Sequence, residues 1–199
     1  SQTPLLNGKP VKPPVMYDSW WVMGLATSED LLKPQIDVTS SIGIEYFIQD
    51  AGWQGGSGHE GDVFMIGAGN WRKENSKKFP NGLSAVAEYA EKKGMKFGLW
   101  WVPENCDPNS KFAREHPDWL LPLISGDPTP TGLFSLVNFG IPEVVSWFKE
   151  TIDEMMRNCN IKWVRWDLNI YQTPCWERAD SPDRSGITQI RHLEGLLNL

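Results

Sequence analysis

The sequence predicts an α/β fold in which parallel strands alternate with helices. Three observations carry this. Short apolar runs and stretches with 3.6-residue periodicity follow one another along the chain, as in βαβ units. A loop of about thirty residues, rich in glycine, interrupts them after the second strand, and a loop that long in a compact domain is usually functional. Acidic and indole side chains fall at or just past the C-terminal ends of the predicted strands, where parallel α/β folds carry their chemistry.

Residues 1–14, rich in Pro, Lys, Gly and Gln, read as an extended leader before one domain over 15–199. Val15 to Trp21 (VMYDSWW) is the first strand. Ser28 is an N-cap with Glu29 and Asp30 in the first helical turn. That helix runs to about Ile42, with a boundary or kink at Pro34, and Gly43 ends it. Ile44 to Asp50 (IEYFIQD) is the second strand. After the long loop, Leu83, Val86, Ala87 and Ala90 form one helical stripe that stops at Gly94. Met95 to Trp101 is a strand, Ser110 to Glu115 a short helix, and Leu133 to Phe139 a further strand. Pro142 opens a helix through Asn158 with Val144, Val145, Phe148, Ile152 and Met155 on its apolar face. WVRW then leads to Asp167, and a last helix starts near Ser185. A doubly wound sheet and a (β/α) barrel both fit this order. No G-x-G-x-x-G follows the first strand, so a phosphate cradle has little support.

The bulk numbers exclude several classes. The 199 residues are 40% hydrophobic and 22% charged, which marks a globular chain. The net charge of −6 comes without a basic patch, so nucleic acid is not a default partner. Cys106, Cys159 and Cys175 form no C-x-x-C, and His59, His116 and His192 lack ligand spacing, so neither a disulfide framework nor a zinc site is expected. No apolar run reaches membrane-spanning length. The N-terminus shows no charged-then-apolar signal segment, so either the native protein has none or this chain does not start at its native terminus, and the compartment is not readable from the sequence.

Alternation along the last strand puts Arg165 and Asp167 on one face. The expectation is that Arg165 pairs with Asp167, either as a structural ion pair or to keep a nucleophile ionised. Asp50 reads as a loop cap or as a holder of substrate hydroxyls, since a carboxylate accepts from both members of a diol. Glu104 reads as a loop anchor or a site residue. Trp20, Trp21, Trp53, Trp71, Trp100 and Trp101 fit either the core or a rim that stacks on a sugar ring.

The stretches GIEYFIQDAGW, GNW…KKFPNGLSAVAEYAEKKGMKFGLWWVPE, HPDW and VRWDLN occur in this order. Over roughly residues 15–170 the series resembles glycoside hydrolase family 36, which holds α-galactosidases, raffinose synthases and α-N-acetylgalactosaminidases. The resemblance implies a (β/α)8 TIM barrel and a retaining double displacement. On it, Asp167 is the nucleophile, with Asn169 from the same motif among the substrate-binding residues. Arg165 replaces a lysine that binds sugar hydroxyls, Asp50 and Trp53 are the first aspartate and the tryptophan of a DDGW motif, and Trp100 is the tryptophan of FGLW. Ala51 replaces the second aspartate of DDGW, and Ile170 replaces an arginine. No counterpart of an arginine expected near Gly132 and Phe134 is present.

A full barrel takes about 250 residues, so only the first half is expected here. The family's acid/base aspartate lies further along, after more strands, and is expected outside this chain. The resemblance implies an α-galactosidase-like hydrolase acting on an oligosaccharide or other α-glycoside, with no metal or cofactor. The alternatives are a galactosyl-transferring enzyme of the raffinose synthase type and a non-catalytic sugar-binding barrel. Unpaired strand edges would favour self-association.

Overall fold

The computed structural model describes residues 5–6, 8–10, 12–55, 68–121 and 134–199. In chain order, β1 (Leu5–Leu6) and β2 (Lys9–Pro10) form a small antiparallel hairpin within the segment expected to be a plain leader. Next come β3 (Met16–Asp18), α1 (Trp20–Met23), α2 (Glu29–Ser41) and β4 (Tyr46–Gln49). They are followed by α3 (Gly82–Lys92), β5 (Lys96–Trp101), β6 (Asn105–Cys106), α4 (Lys111–Glu115), β7 (Leu120–Leu121) and β8 (Ser135–Val137). The last elements are α5 (Pro142–Asn158), β9 (Trp163–Trp166), α6 (Thr173–Ala179) and α7 (Ile187–Leu197).

The frame is a four-stranded parallel sheet in the order β3-β4-β5-β9. The helices α2, α3 and α5 lie in the connections between successive strands, which is the (βα)n pattern of a partial barrel. Local chemistry sets the helix starts. Ser28 Oγ accepts from the Leu31 amide at 3.4 Å, and Ser110 Oγ from the Ala113 amide at 3.1 Å. Gly43 and Gly94 sit at positive φ just past α2 and α3, where a Cβ would be strained.

Three elements differ from expectation. The first strand stops at Asp18, because the Asp18 carboxylate accepts from the Trp20 amide at 2.9 Å and turns the chain into α1. Pro34 neither ends nor bounds α2, which continues to Ser41 with Leu32, Ile36 and Thr39 buried on either side of it. β8 is a strand, but it belongs to a separate antiparallel sheet, β6-β8-β7, outside the parallel one. Hydrophobic pattern finds strands and not their partners. Leu133, Gly132, His59 and the middle of the long loop lie outside the described residues, and α6 had no counterpart in the sequence reading.

Strand alternation divides the core in two. Phe47, Phe97, Leu99 and Trp101 face the helices and pack with Leu32, Ile36, Leu83 and Phe148. Trp100 faces the other way, in a second cluster with Ala51, Val102, Leu136 and Trp176. On that same face a Cβ at Gly98 would stand 2.3 Å from Ile48 Cδ1, so glycine is what lets β4 and β5 close up there. The α7 helix packs just as closely on the turn after β8, with a Cβ at Gly195 placed 1.8 Å from the Phe139 carbonyl.

Candidate active site

The pleat delivers the site. Asp18 pairs in register with Ile48, Ile48 with Gly98, and Trp100 with Arg165. The side chains of Asp18, Asp50, Trp100 and Arg165 therefore share the face turned away from the helices. The Asp167 amide donates to the Trp101 carbonyl at 2.8 Å, which extends the ladder one residue and puts Asp167 on the same face at the same strand ends.

One guanidinium ties this face together. Arg165 Nη1 forms ion pairs with both Asp18 Oδ2 and Asp50 Oδ2. Adjacent strands are about 4.8 Å apart, so β3 and β9 would be about 14 Å apart in a flat sheet. An arginine and an aspartate standing upright on a flat sheet cannot meet over that distance. The Arg165–Asp18 pair thus requires a sheet curved like a barrel wall. Among the described residues only Nη1 of this guanidinium is engaged, and the side chain is 36% exposed, so its other donors face open space.

This corrects the expected pairing. Arg165 does not contact Asp167, because it stands one pleat lower, level with Trp100, and its head reaches across β5 toward β4 and β3. Asp167 is held by neutral donors. Its Oδ2 accepts from Trp100 Nε1 at 2.9 Å and Asn169 Nδ2 at 3.2 Å, and its Oδ1 from the Leu168 amide at 2.8 Å. Burial pushes the Asp167 carboxyl up. The hydrogen bonds from Trp100, Leu168 and Asn169, with the charge of Arg165 adding through space, outweigh that and hold it below the usual carboxylate range. Asp167 is therefore an anion at neutral pH.

Asp50 behaves oppositely. Its amide donates to Ser19 Oγ at 3.0 Å, and its Oδ1 accepts from the Ala51 amide at 2.7 Å. Burial pushes its carboxyl up to about 6, with the charges of Asp18 and Asp167 adding, against the Ala51 amide and Arg165. An unfolded aspartate titrates near about 3.9. Stability from Asp50 is thus fully present below that value and lost as pH rises through about 6. Relative to Asp50→Asn, the native protein should be more stable at pH ~4.5 than at pH ~7.5 by about 2 kcal/mol. Thermal unfolding of both proteins at the two pH values checks this, and a difference that does not change with pH would contradict it.

The tryptophans separate. Trp100 lies at the site, and Trp20 packs beside its cluster. Trp53, expected to bind substrate, is instead 0% exposed in the helix-side core, where its Nε1 donates to the Trp100 carbonyl at 2.9 Å. Trp71 Nε1 donates to the Val102 carbonyl at 3.3 Å. Both indoles satisfy carbonyls where β5 runs out of ladder partners. Trp101 faces the helices, and Trp21 is 82% exposed. Ala51 is buried in the apolar cluster around Trp100, so a methyl group stands where the resemblance has a carboxylate. Asp18 escaped the sequence reading. The available signal was the rule that singled out Asp50 and Asp167, a carboxylate at a strand end, hidden by extending the strand through Trp21. Among the described residues no group of three or more His, Cys, Asp or Glu side chains gathers as metal ligands.

Comparison with known proteins agrees with this geometry. The Melibiase family model matches residues 7–199. Alpha-galactosidase 1 of Pediococcus pentosaceus is 30% identical over 186 residues, covering 94% of this chain and 25% of that protein. Alpha-galactosidase Mel36A of Lactobacillus acidophilus is 32% identical over 94% of this chain and 25% of its own length. Among solved structures, a variant of the α-galactosidase AgaA of Geobacillus stearothermophilus in complex with 1-deoxygalactonojirimycin superposes with a TM-score of 0.78 at 30% identity, over 92% of this chain and 25% of that one. Another AgaA variant, in complex with stachyose, gives 0.77 at the same identity and coverage. The chain spans about a quarter of the length of these relatives. The parallel sheet, the curvature and the order of motifs all agree: the chain belongs to the melibiase family, glycoside hydrolase family 36, and forms part of its (β/α)8 barrel.

Proposed function

We propose that this chain supplies the nucleophile and part of the sugar pocket of a retaining α-galactoside hydrolase. The observation that carries the reading is Asp167: an anion at the C-terminal end of a parallel strand, on the same concave face as a carboxylate–guanidinium cluster. Such a cluster offers acceptors and donors for several ring hydroxyls at once. Raffinose and stachyose occupy solved AgaA variants, and sugars of that kind are the substrate class proposed here.

Asp167 Oδ2 already accepts two hydrogen bonds and Oδ1 one, so Oδ1 keeps a lone pair free for the anomeric carbon. The new Oδ1–C1 bond forms as the C1–O bond to the leaving group breaks, and the leaving oxygen takes a proton from a second carboxylic acid. Water then attacks C1 and gives a proton to that same group, which frees Asp167. The two carboxyls of a retaining enzyme stand about 5–5.5 Å apart. The second is proposed to lie outside these 199 residues, so the 199 residues alone are expected to be inactive.

The test is covalent trapping in the full-length gene product with 5-fluoro-α-galactosyl fluoride, followed by peptide mass mapping. The expected adduct is on the peptide containing Asp167. An adduct on another carboxylate, or steady turnover with no adduct at any time, would sink the reading.

A further inference from the structure

On the helix side of β9, away from Arg165, one buried carboxylate collects donors from three elements. Glu104, in the turn after β5, is 3% exposed. Its Oε1 accepts from Trp166 Nε1 at 3.2 Å, and its Oε2 meets His192 Nε2 at 2.8 Å and accepts from Gln172 Nε2. Trp166 is the last residue of β9, immediately before Asp167. Gln172 opens α6, and His192 lies within α7. The neighbouring Asn105 Oδ1 accepts from the Asn169 amide at 3.3 Å. The His192 Nδ1 has no hydrogen-bond partner among the described residues, so this fully buried imidazole makes its hydrogen bond to Glu104 alone.

Between Asp167 and Gln172 the backbone is irregular, and the ladder ends at the Asp167 amide. Two of the three donors that hold the Asp167 carboxylate, the Leu168 amide and Asn169 Nδ2, come from this irregular stretch. Their direction depends on how the stretch is fixed. Glu104 grips its two ends, at Trp166 and Gln172, and Asn105 grips its middle. A misplacement of about 1 Å at a reacting group costs about 100-fold in rate, and a buried carboxylate with its donors satisfied is a stiff reference point.

We propose that Glu104 is a positioning residue: through Trp166 and Gln172 it aims Asp167 at the sugar pocket. This rests on the reading of Asp167 as nucleophile. The experiment uses the full-length gene product and an aryl α-galactoside. Glu104→Ala should lower kcat by about 100-fold with KM within about 3-fold. It should also move the acidic limb of the kcat/KM profile to higher pH, because the donors that hold the Asp167 charge lose their aim. Glu104→Gln should recover most of the rate, since its amide oxygen can serve Trp166 while Gln172 turns its own carbonyl to the new NH2.

An unchanged kcat and an unchanged acidic limb in Glu104→Ala, whatever happens to Tm, would make Glu104 an anchor only and overturn the proposal. If Glu104→Ala does not fold, Trp166→Phe decides, because it deletes one donor and keeps an aromatic ring. An unaltered kcat in that variant also overturns the proposal. Azide added to Asp167→Gly separates the two ideas. Failure of rescue removes the nucleophile reading and this proposal together, whereas rescue with an unaffected Glu104→Ala removes this proposal alone.

Discussion

Replacing Asp167 by Asn in the full-length gene product is expected to lower kcat on an aryl α-galactoside by about 10⁴-fold or more. The loss is chemical. On the proposed reading, an amide has no anionic oxygen to bond the anomeric carbon. The fold should survive. The Asn oxygen can occupy the Oδ2 position and keep the hydrogen bonds from Trp100 and Asn169, which leaves a single donor–donor conflict at the Leu168 amide. Sugar binding should survive too, because Asp18, Asp50 and Arg165 are untouched. The check is steady-state kinetics beside a binding isotherm for a galactose analogue. Retained turnover, or loss of binding equal to the loss of rate, would contradict a covalent role for Asp167.

The second large effect is on stability. Arg165→Met should destabilise the protein by about 2 kcal/mol at pH ~7.5, discounted from the cost of breaking a fully buried pair because the guanidinium is partly solvated. The variant leaves Asp18 and Asp50 facing each other without their shared cation. Two carboxylates so placed cannot both stay ionised cheaply, so the Asp50 pKa, already about 6, should climb further. A raised folded-state value means that stability returns as pH falls through it, so the deficit should shrink by pH ~5. Arg165→Lys should fall between wild type and Arg165→Met, because the charge is kept but the shorter stem holds it less well between Asp18 and Asp50, where a single Nη1 now meets both. Thermal unfolding at both pH values tests this. A deficit equal at pH ~7.5 and pH ~5 would show that the lost term is packing and not charge.

The α3 stripe, the α5 stripe opened by Pro142 and the Ser28 cap were legible because each is local: a periodicity or one side chain meeting its own helix terminus. Asp50, Trp100 and Asp167 were legible for a related reason, since the pleat assigns faces by counting in twos. The tryptophans were not, because an indole at a strand end satisfies the chemistry of a core as well as that of a rim. Only neighbours tell Trp53, in the helix-side core, from Trp100, equally buried but hydrogen-bonded to Asp167. β8 shows the same limit, as its apolar run specifies a strand but not which sheet takes it.

Read alone, the sequence determined that parallel strands would bring acidic and indole groups to one end of a sheet, and which family's motifs they match. Local pattern and residue order contain that much. Tertiary structure alone decided who holds whom: Arg165 with Asp18 and Asp50, Asp167 with Trp100, and Glu104 with three donors far along the chain. These pairings depend on the curvature of the sheet and on distances across strands, to which spacing along the chain is blind.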